Sequence, residues 1–231
     1  FLSLIGRWLT HLTPLSSIFP RKQSLVQFLT MTRMEVSLPL NLVARGMHRP
    51  TASMKEDMMR ILRYLANRPD DGLVYTKEGA VSLSCWVDAS WQSEVGNNSR
   101  TGFAIALGAN SGVVQMYSKV QSYAALSSQH AEIIALTEAV RAVRHVRMLL
   151  EDMGYAQTVP TPVHEDNVGA LAFSKGTCPL EKTKHIANRD RFCREAVREG
   201  RPLIAFHRAR RAWMSGRDYE DLARKLRHVK N

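Results

Sequence analysis

The chain has 231 residues, 45% of them hydrophobic, so it can bury a good-sized core and is not a disordered tail. No stretch reaches the roughly 18–20 apolar residues that a membrane helix needs, so we expect no membrane partner. The formal net charge of +11 favours a polyanion, nucleic acid first, because clustered Lys and Arg release counterions from phosphates. A basic surface that only aids solubility is the alternative.

The three cysteines, Cys85, Cys178 and Cys193, are odd in number and lack the spacing of zinc sites. They are typical of packing residues in a reduced intracellular setting. Whether that setting is a cytoplasmic particle or the nucleus is left open.

Residues 1–76 contain one clear helix. Its apolar residues recur at helical spacing and Pro69 ends it, which predicts a helix over 54–69 that packs on a neighbouring element. We interpret 1–76 as the end of a region that continues upstream. Residues 1–34 contain no acid, as in a transit peptide, but the start at Phe1 favours a fragment of a longer product.

A second region, 77–231, opens with strand signals. Val81, Leu83, Cys85 and Val87 alternate with polar residues, which predicts a half-buried strand with Asp88 on the opposite face. Two further strand-like segments, 101–108 and 112–119, share the turn between Gly108 and Gly112. Together these segments predict an antiparallel meander of three strands.

The strongest helix signal runs from Ser128 to Met153 and stops before Gly154. Glu132 begins a face that continues through the apolar positions Leu136, Ala139, Val143 and Leu150. A buried Glu needs a partner or a metal, so its placement indicates a site. The alternative is a frayed first turn that leaves Glu132 in water.

The remaining pattern predicts a strand over 161–166, helices over 167–174 and 187–200, a strand over 202–208 and a helix over 215–229. Three antiparallel strands, a helix and then alternating strands and helices indicate an α/β fold. We expect a mixed five-stranded sheet with helices on its faces.

Three acids come from separate elements of this pattern. Asp88 ends the first strand, Glu132 opens the long helix and Asp166 closes a later strand. Carboxylate oxygens suit Mg²⁺, a hard cation that takes oxygen ligands, better than Cys or His would. The three acids therefore predict a magnesium site, with Mn²⁺ as a possible substitute.

Several motifs in order resemble those of copia-type retrotransposon Pol polyproteins. YSKVQSYAALSSQHAEIIALTEA resembles the family's SKKQ and ALSSTEAEY segment, HEDNVGALA its CDNQSA pattern and KTKHI its RTKHI. RGMHRPTASMKEDMMRILRYLANRPDDGLVY is similar to the stretch that joins reverse transcriptase to ribonuclease H. The resemblance covers about residues 41–186, whereas 1–40 match poorly.

The resemblance implies a ribonuclease H-like domain over 77–231, preceded in 1–76 by the end of the reverse transcriptase region. Its substrate would be the RNA strand of RNA/DNA hybrids. Asp88, Glu132 and Asp166 match the family's catalytic, metal-binding acids. The resemblance also implies a two-metal mechanism, with Asp88 bridging both ions and Glu132 and Asp166 each holding one side.

The fourth acid of the family falls in YEDLARKL, which selects Asp221 as the fourth catalytic and metal-binding residue, with Asp218 as a competitor. Two departures from the family pattern are Ala187, where an acid is usual, and His130, where Glu is usual. They favour the alternative of a catalytically decayed nucleic-acid-binding remnant. An integrase or transposase of the same fold fits the motifs less well.

Polar residues in loops and at element ends beside the acids are the candidate hybrid contacts. They are Arg100, Thr101, Lys119, Gln121, Ser127 and Asn167. The arginines Arg208, Arg210 and Arg211 could follow a phosphate backbone, or form a solvated face. For His164, His185 and His207 a role in proton transfer competes with simple packing.

Overall fold

The computed structural model describes residues 28, 30–46, 49–71, 73, 75, 81–93, 97–108, 112–177, 192–198 and 204–208. These residues divide into two compact units, with the boundary between 73 and 74. The helix predicted over 215–229 and the segment KTKHI lie outside the described residues, as do Asp218, Asp221 and Ala187. Among the helices that the structure describes, none is long and apolar enough to cross a bilayer.

The first unit contains a short 3₁₀ turn, Met34–Val36, followed by helices α1 (Ser37–Ala44) and α2 (Ala52–Asn67). Helix α2 confirms the predicted helix, and the Thr51 hydroxyl caps it by accepting a hydrogen bond from the Met54 N–H at 3.2 Å. The predicted apolar stripe of α2 packs against α1 and the turn before it. The core of this unit comprises Val36, Leu40, Val43, Met58, Ile61, Leu62 and Leu65.

Helix α1 was not expected from the sequence. It contains Pro39, and proline usually interrupts a helix, but this proline is in the first helical turn. The N–H groups of that turn have no partner within the helix, so a proline there removes no hydrogen bond.

The second unit is a five-stranded sheet in the order β3-β2-β1-β4-β5. The strands are β1 (Leu83–Ser90), β2 (Arg100–Leu107), β3 (Val113–Val120), β4 (Thr161–Glu165) and β5 (Ile204–Arg208). The first three pair antiparallel, whereas β1 with β4 and β4 with β5 pair parallel. The predicted meander and mixed sheet are therefore confirmed.

Three helices of this unit pack on one face of the sheet: α3 (Ser128–Asp152), α4 (Val168–Ser174) and α5 (Phe192–Arg198). Helix α3 contacts β1 and β2, and α4 contacts α3 at its start. An added Cβ at Gly169 of α4 would be 2.8 Å from the Gln129 side chain of α3. A larger residue at this position would therefore require the end of the Gln129 side chain to move.

The apolar face predicted for α3 is buried against the sheet. Leu136, Ala139 and Val143 are fully buried and contact a core that includes Cys85 of β1 and Val163 of β4. The first turn of α3 is also held in place, because the Ser127 hydroxyl accepts a hydrogen bond from the His130 N–H at 3.1 Å. Glu132 therefore sits on an ordered helix start.

We expect Ser127→Ala to lower the free energy of unfolding of this unit by about 1 kcal/mol, because it removes the helix cap. The neighbouring exposed residue Ser128 provides the matched control, since Ser128→Ala leaves the cap intact. Urea unfolding followed by circular dichroism measures both variants. Equal losses in the two would show that the Ser127 hydroxyl does not cap the helix.

Candidate metal centre

Three acidic side chains meet at one edge of the sheet. Asp88 is near the end of β1, Glu132 is in the first turns of α3 and Asp166 directly follows β4. One carboxylate oxygen from each lies within 4.8 Å of the others. The structure thus brings together the three residues that the sequence pattern selected from separate elements.

Burial differs among the three acids and shows which side of the cluster is open to solvent. Glu132 is 7% exposed, Asp88 is half-buried and Asp166 is exposed. The Glu132 Oε2 atom is buried without a hydrogen-bond partner among the described residues. The cluster therefore has a closed floor at Glu132 and opens to solvent at Asp166.

Burial also makes charge costly at this site. Burial raises the pKa of Asp88 to about 7, and the charge of Asp166 acts in the same direction. Burial, followed by the charges of Glu165, Asp88 and Asp166, holds the pKa of Glu132 far above its usual range. Carboxylates that repel one another in this way are suited to a divalent cation, which favours their charged forms.

A second buried carboxylate, Glu165, was missed in the sequence. It is the last residue of β4 and is fully buried. Burial raises its pKa, the Asn167 N–H lowers it, and the charges of Asp166 and Asp88 raise it further. Strand alternation gave a usable signal, because Thr161, Val163 and Glu165 share the buried face.

A hydrogen-bond network fixes the backbone that carries Glu132. The Gln121 side-chain amide donates to the Ala131 carbonyl at 2.8 Å and to the Thr101 hydroxyl at 3.1 Å. Both Gln121 and Thr101 are buried. Their side chains tie the end of β3 and the start of β2 to α3. The geometry therefore supports a structural role for these two candidate hybrid contacts.

His130 contributes to the same helix start. Its Nδ1 atom accepts a hydrogen bond from the Leu126 N–H at 3.2 Å, while its own N–H bonds to Ser127. This pattern is similar to a capping box, in which a Glu at this position accepts a hydrogen bond from the N–H of the capping residue; the His130 ring bonds one residue earlier, to Leu126. The departure from the family pattern at His130 is thus compatible with an intact helix start.

The other candidate hybrid contacts differ in how available they are. Ser127 and Asn167 both cap helices, the latter by accepting the Ala170 N–H at 3.0 Å. Arg100 is buried and donates to the Ser118 hydroxyl at 3.1 Å. Lys119 is exposed and pairs across strands with Thr101, at the end of the sheet that carries the acids.

His164 lies on the sheet face away from α3. Its ring stacks on Trp86 with centroids 5.3 Å apart, and the His207 ring is 5.6 Å away. Burial lowers the pKa of His164, and His207 acts in the same direction. These contacts support the packing role for His164 and His207, whereas His185, Arg210 and Arg211 lie outside the described residues.

The strand order and the three acids at one sheet edge define a ribonuclease H-like fold, as the sequence predicted. The acids come from the first strand, the long helix and the end of the fourth strand in chain order. The second unit therefore belongs to the class of ribonuclease H-like folds.

Comparison with known proteins gives the sequence relatives of the chain. The chain is 31% identical over 176 residues to the retrovirus-related Pol polyprotein from transposon RE1 of Arabidopsis thaliana, and 29% identical over 175 residues to that from transposon TNT 1-94 of Nicotiana tabacum. The matches cover 76% and 75% of this chain. These relatives are retrovirus-related Pol polyproteins of transposons, which confirms the resemblance of the motifs.

The chain spans only 12% and 13% of the length of these two polyproteins. No protein-family model matches it. Similar solved structures include RNase H1 from the halophilic archaeon Halobacterium salinarum NRC-1, which is 17% identical. The match covers 57% of this chain and 87% of that chain, with a TM-score of 0.41. The PFV RNase H domain has 18% identity, with 64% and 93% coverage and a TM-score of 0.40.

Proposed function

We propose that the chain is a Mg²⁺-dependent endoribonuclease that cleaves the RNA strand of RNA/DNA hybrids during retrotransposon reverse transcription. The observation that carries the proposal is the convergence of Asp88, Glu132 and Asp166 within 4.8 Å. The transposon Pol relatives support the same reaction, because reverse transcription produces such hybrids. The upstream reverse transcriptase region of the same polyprotein is the proposed partner.

The residues of the cluster fit a divalent cation. All the donors are carboxylate oxygens, which hard cations prefer, and the buried Glu132 Oε2 atom has no hydrogen-bond partner in the described part of the chain. Asp88, Glu132 and Asp166 would hold the metal. When bound, it would activate a water molecule and stabilise the leaving oxygen of the scissile phosphate.

The chain's own residues divide the remaining tasks. The capped start of α3 holds Glu132 rigidly, and Asp166 faces the solvent from which a hybrid would approach. The exposed Lys119 amine, at the same end of the sheet, is the proposed contact to the phosphate backbone. Asp221 stays the proposed fourth acid.

The test is cleavage of a labelled RNA/DNA hybrid by the purified chain with MgCl₂, with EDTA, and with duplex RNA and duplex DNA of the same sequence. We expect metal-dependent cuts in the RNA strand of the hybrid alone. Binding of the hybrid without any cleavage in Mg²⁺ or Mn²⁺ would instead support the decayed, nucleic-acid-binding alternative.

A further inference from the structure

Glu165 is a buried carboxylate with an unused oxygen atom. Its side chain is fully buried at the end of β4. The Oε1 atom accepts a hydrogen bond from the Asn167 N–H at 2.9 Å, whereas Oε2 is buried and has no hydrogen-bond donor among the described residues. The neighbouring Asp166 carboxylate is itself an acceptor and can bond to the Glu165 side chain only when one of the two acids is protonated. Buried carboxylates are costly unless they are paired or bind a cation, so Oε2 requires an explanation.

The position of Glu165 in the sheet places it beside the three-acid cluster. Strands β1 and β4 pair in parallel through Cys85 with Val163 and Trp86 with His164. Continuing this register sets Glu165 beside Val87 and Asp166 beside Asp88. Glu165 follows Val163 on the buried face of β4, and Val163 belongs to the same core as the apolar residues of α3. Glu132 of α3 is buried as well, and the charge of Glu165 acts on it.

Two unpartnered oxygens therefore occur on the closed side of one acidic cluster. The Oε2 atoms of Glu132 and Glu165 are both buried, and among the described residues neither forms a hydrogen bond. Their side chains are 7% and 0% exposed, so water does not solvate them freely. A cation in the cluster would offset both charges at once, which a hydrogen bond to either oxygen alone would not do.

We propose that Glu165 is a further carboxylate of the cation site, whose Oε2 adds negative charge to a divalent ion held by Asp88, Glu132 and Asp166. This inference rests on the proposed function, because it concerns the same metal site. Its Oε1 atom has a separate task, since the bond to the Asn167 N–H fixes the turn that presents Asp166. The two oxygens can therefore be tested separately.

The test is Mn²⁺ binding to the full chain without nucleic acid, measured by calorimetry and by the electron paramagnetic resonance signal of free Mn²⁺. Glu165→Gln keeps an oxygen that can accept the Asn167 N–H but removes the charge, whereas Glu165→Ala removes both. We expect each variant to weaken Mn²⁺ binding by about 10-fold or more, the range seen when groups supporting a metal site are lost. The exposed Glu195 provides the matched control, and Glu195→Gln should bind as the parent does.

The outcomes separate the two proposals. If Glu165→Gln binds Mn²⁺ as tightly as the parent and only Glu165→Ala is weakened, Glu165 positions the turn and the charge claim is overturned. If the parent cleaves hybrids while Glu165→Gln keeps full Mn²⁺ affinity, this inference fails and the proposed function stands. A parent that neither binds Mn²⁺ nor cleaves would overturn both.

The thermal midpoint in EDTA and in Mn²⁺ provides a readout apart from affinity and controls for folding. Glu165→Gln should unfold at a higher temperature than the parent in EDTA, because it removes a buried acid whose ionisation the folded state disfavours, and should gain less from Mn²⁺. A midpoint below that of the parent in EDTA, with an undiminished gain from Mn²⁺, would contradict the assignment.

Discussion

Replacement of Asp88 by Asn is expected to lower the rate of Mg²⁺-dependent hybrid cleavage by at least about 100-fold while the fold persists. The amide retains the size of the carboxylate but removes a charged ligand, and loss of residues that only support a metal site already costs about 10- to 100-fold. Asp88 lies on the half-buried side of the strand, away from the apolar core, so the packing of β1 should survive. Single-turnover cleavage of a labelled hybrid measures the loss.

The matched control for this prediction is Asp152→Asn, which makes the same chemical change at an exposed residue at the end of α3. It should cleave as the parent does. If the parent cleaves the hybrid, retention of full activity by Asp88→Asn would remove Asp88 from the catalytic site.

The second expectation is that the unit containing the acids loses stability in EDTA as the pH rises from 6 to 9. The pKa values of Asp88, Glu132 and Glu165 all lie above their ordinary values in the folded state. The folded chain therefore keeps protons that the unfolded chain has already released, so stability falls as the pH rises from about 4 through the folded pKa values, which begin at about 7 for Asp88.

The size of this loss is of the order of a few kcal/mol, since one pKa unit corresponds to about 1.4 kcal/mol and partial exposure of Asp88 reduces its share. Mg²⁺ should remove most of the loss, because it favours the charged carboxylates. Glu132→Gln should flatten the profile in EDTA, because it removes one of the buried charges.

Urea unfolding at pH 6 and at pH 9, with EDTA and with Mg²⁺, measures these effects. Asp152→Asn again serves as the control and should follow the parent at both values. Higher stability at pH 9 than at pH 6 in EDTA would contradict the repulsion among the acids.

The three-acid site could be predicted because each acid lies near one end of a separate predicted element. Asp88 is near the end of β1 on the side opposite its apolar residues, and Glu132 lies on an otherwise apolar helix face. A frayed helix start was the open alternative for Glu132, and neighbouring chain segments exclude it. Gln121 and Ser127 hold the first turn in place, through contacts that helical spacing cannot reveal.

Several residues beside the acids were assigned contacts with substrate because they are polar and close in sequence. In the structure Thr101 and Gln121 form a buried pair, while Ser127 and Asn167 cap helices. The same side-chain groups bind phosphates and backbone N–H groups equally well. Only the three-dimensional neighbours decide which of these tasks a polar residue performs.

The sequence by itself determined the order of strands and helices in the second unit, the apolar face of α3 and the choice of Asp88, Glu132 and Asp166. These depend on periodicity, which local backbone geometry imposes on every strand and helix. Only the tertiary structure decided that the three carboxylates lie within 4.8 Å and that the fully buried Glu165 lies on the closed side of the same sheet edge. The physical reason is that burial and repulsion arise from the parallel pairing of β1 with β4 and from the packing of α3 on β1 and β2, which join residues far apart in the chain.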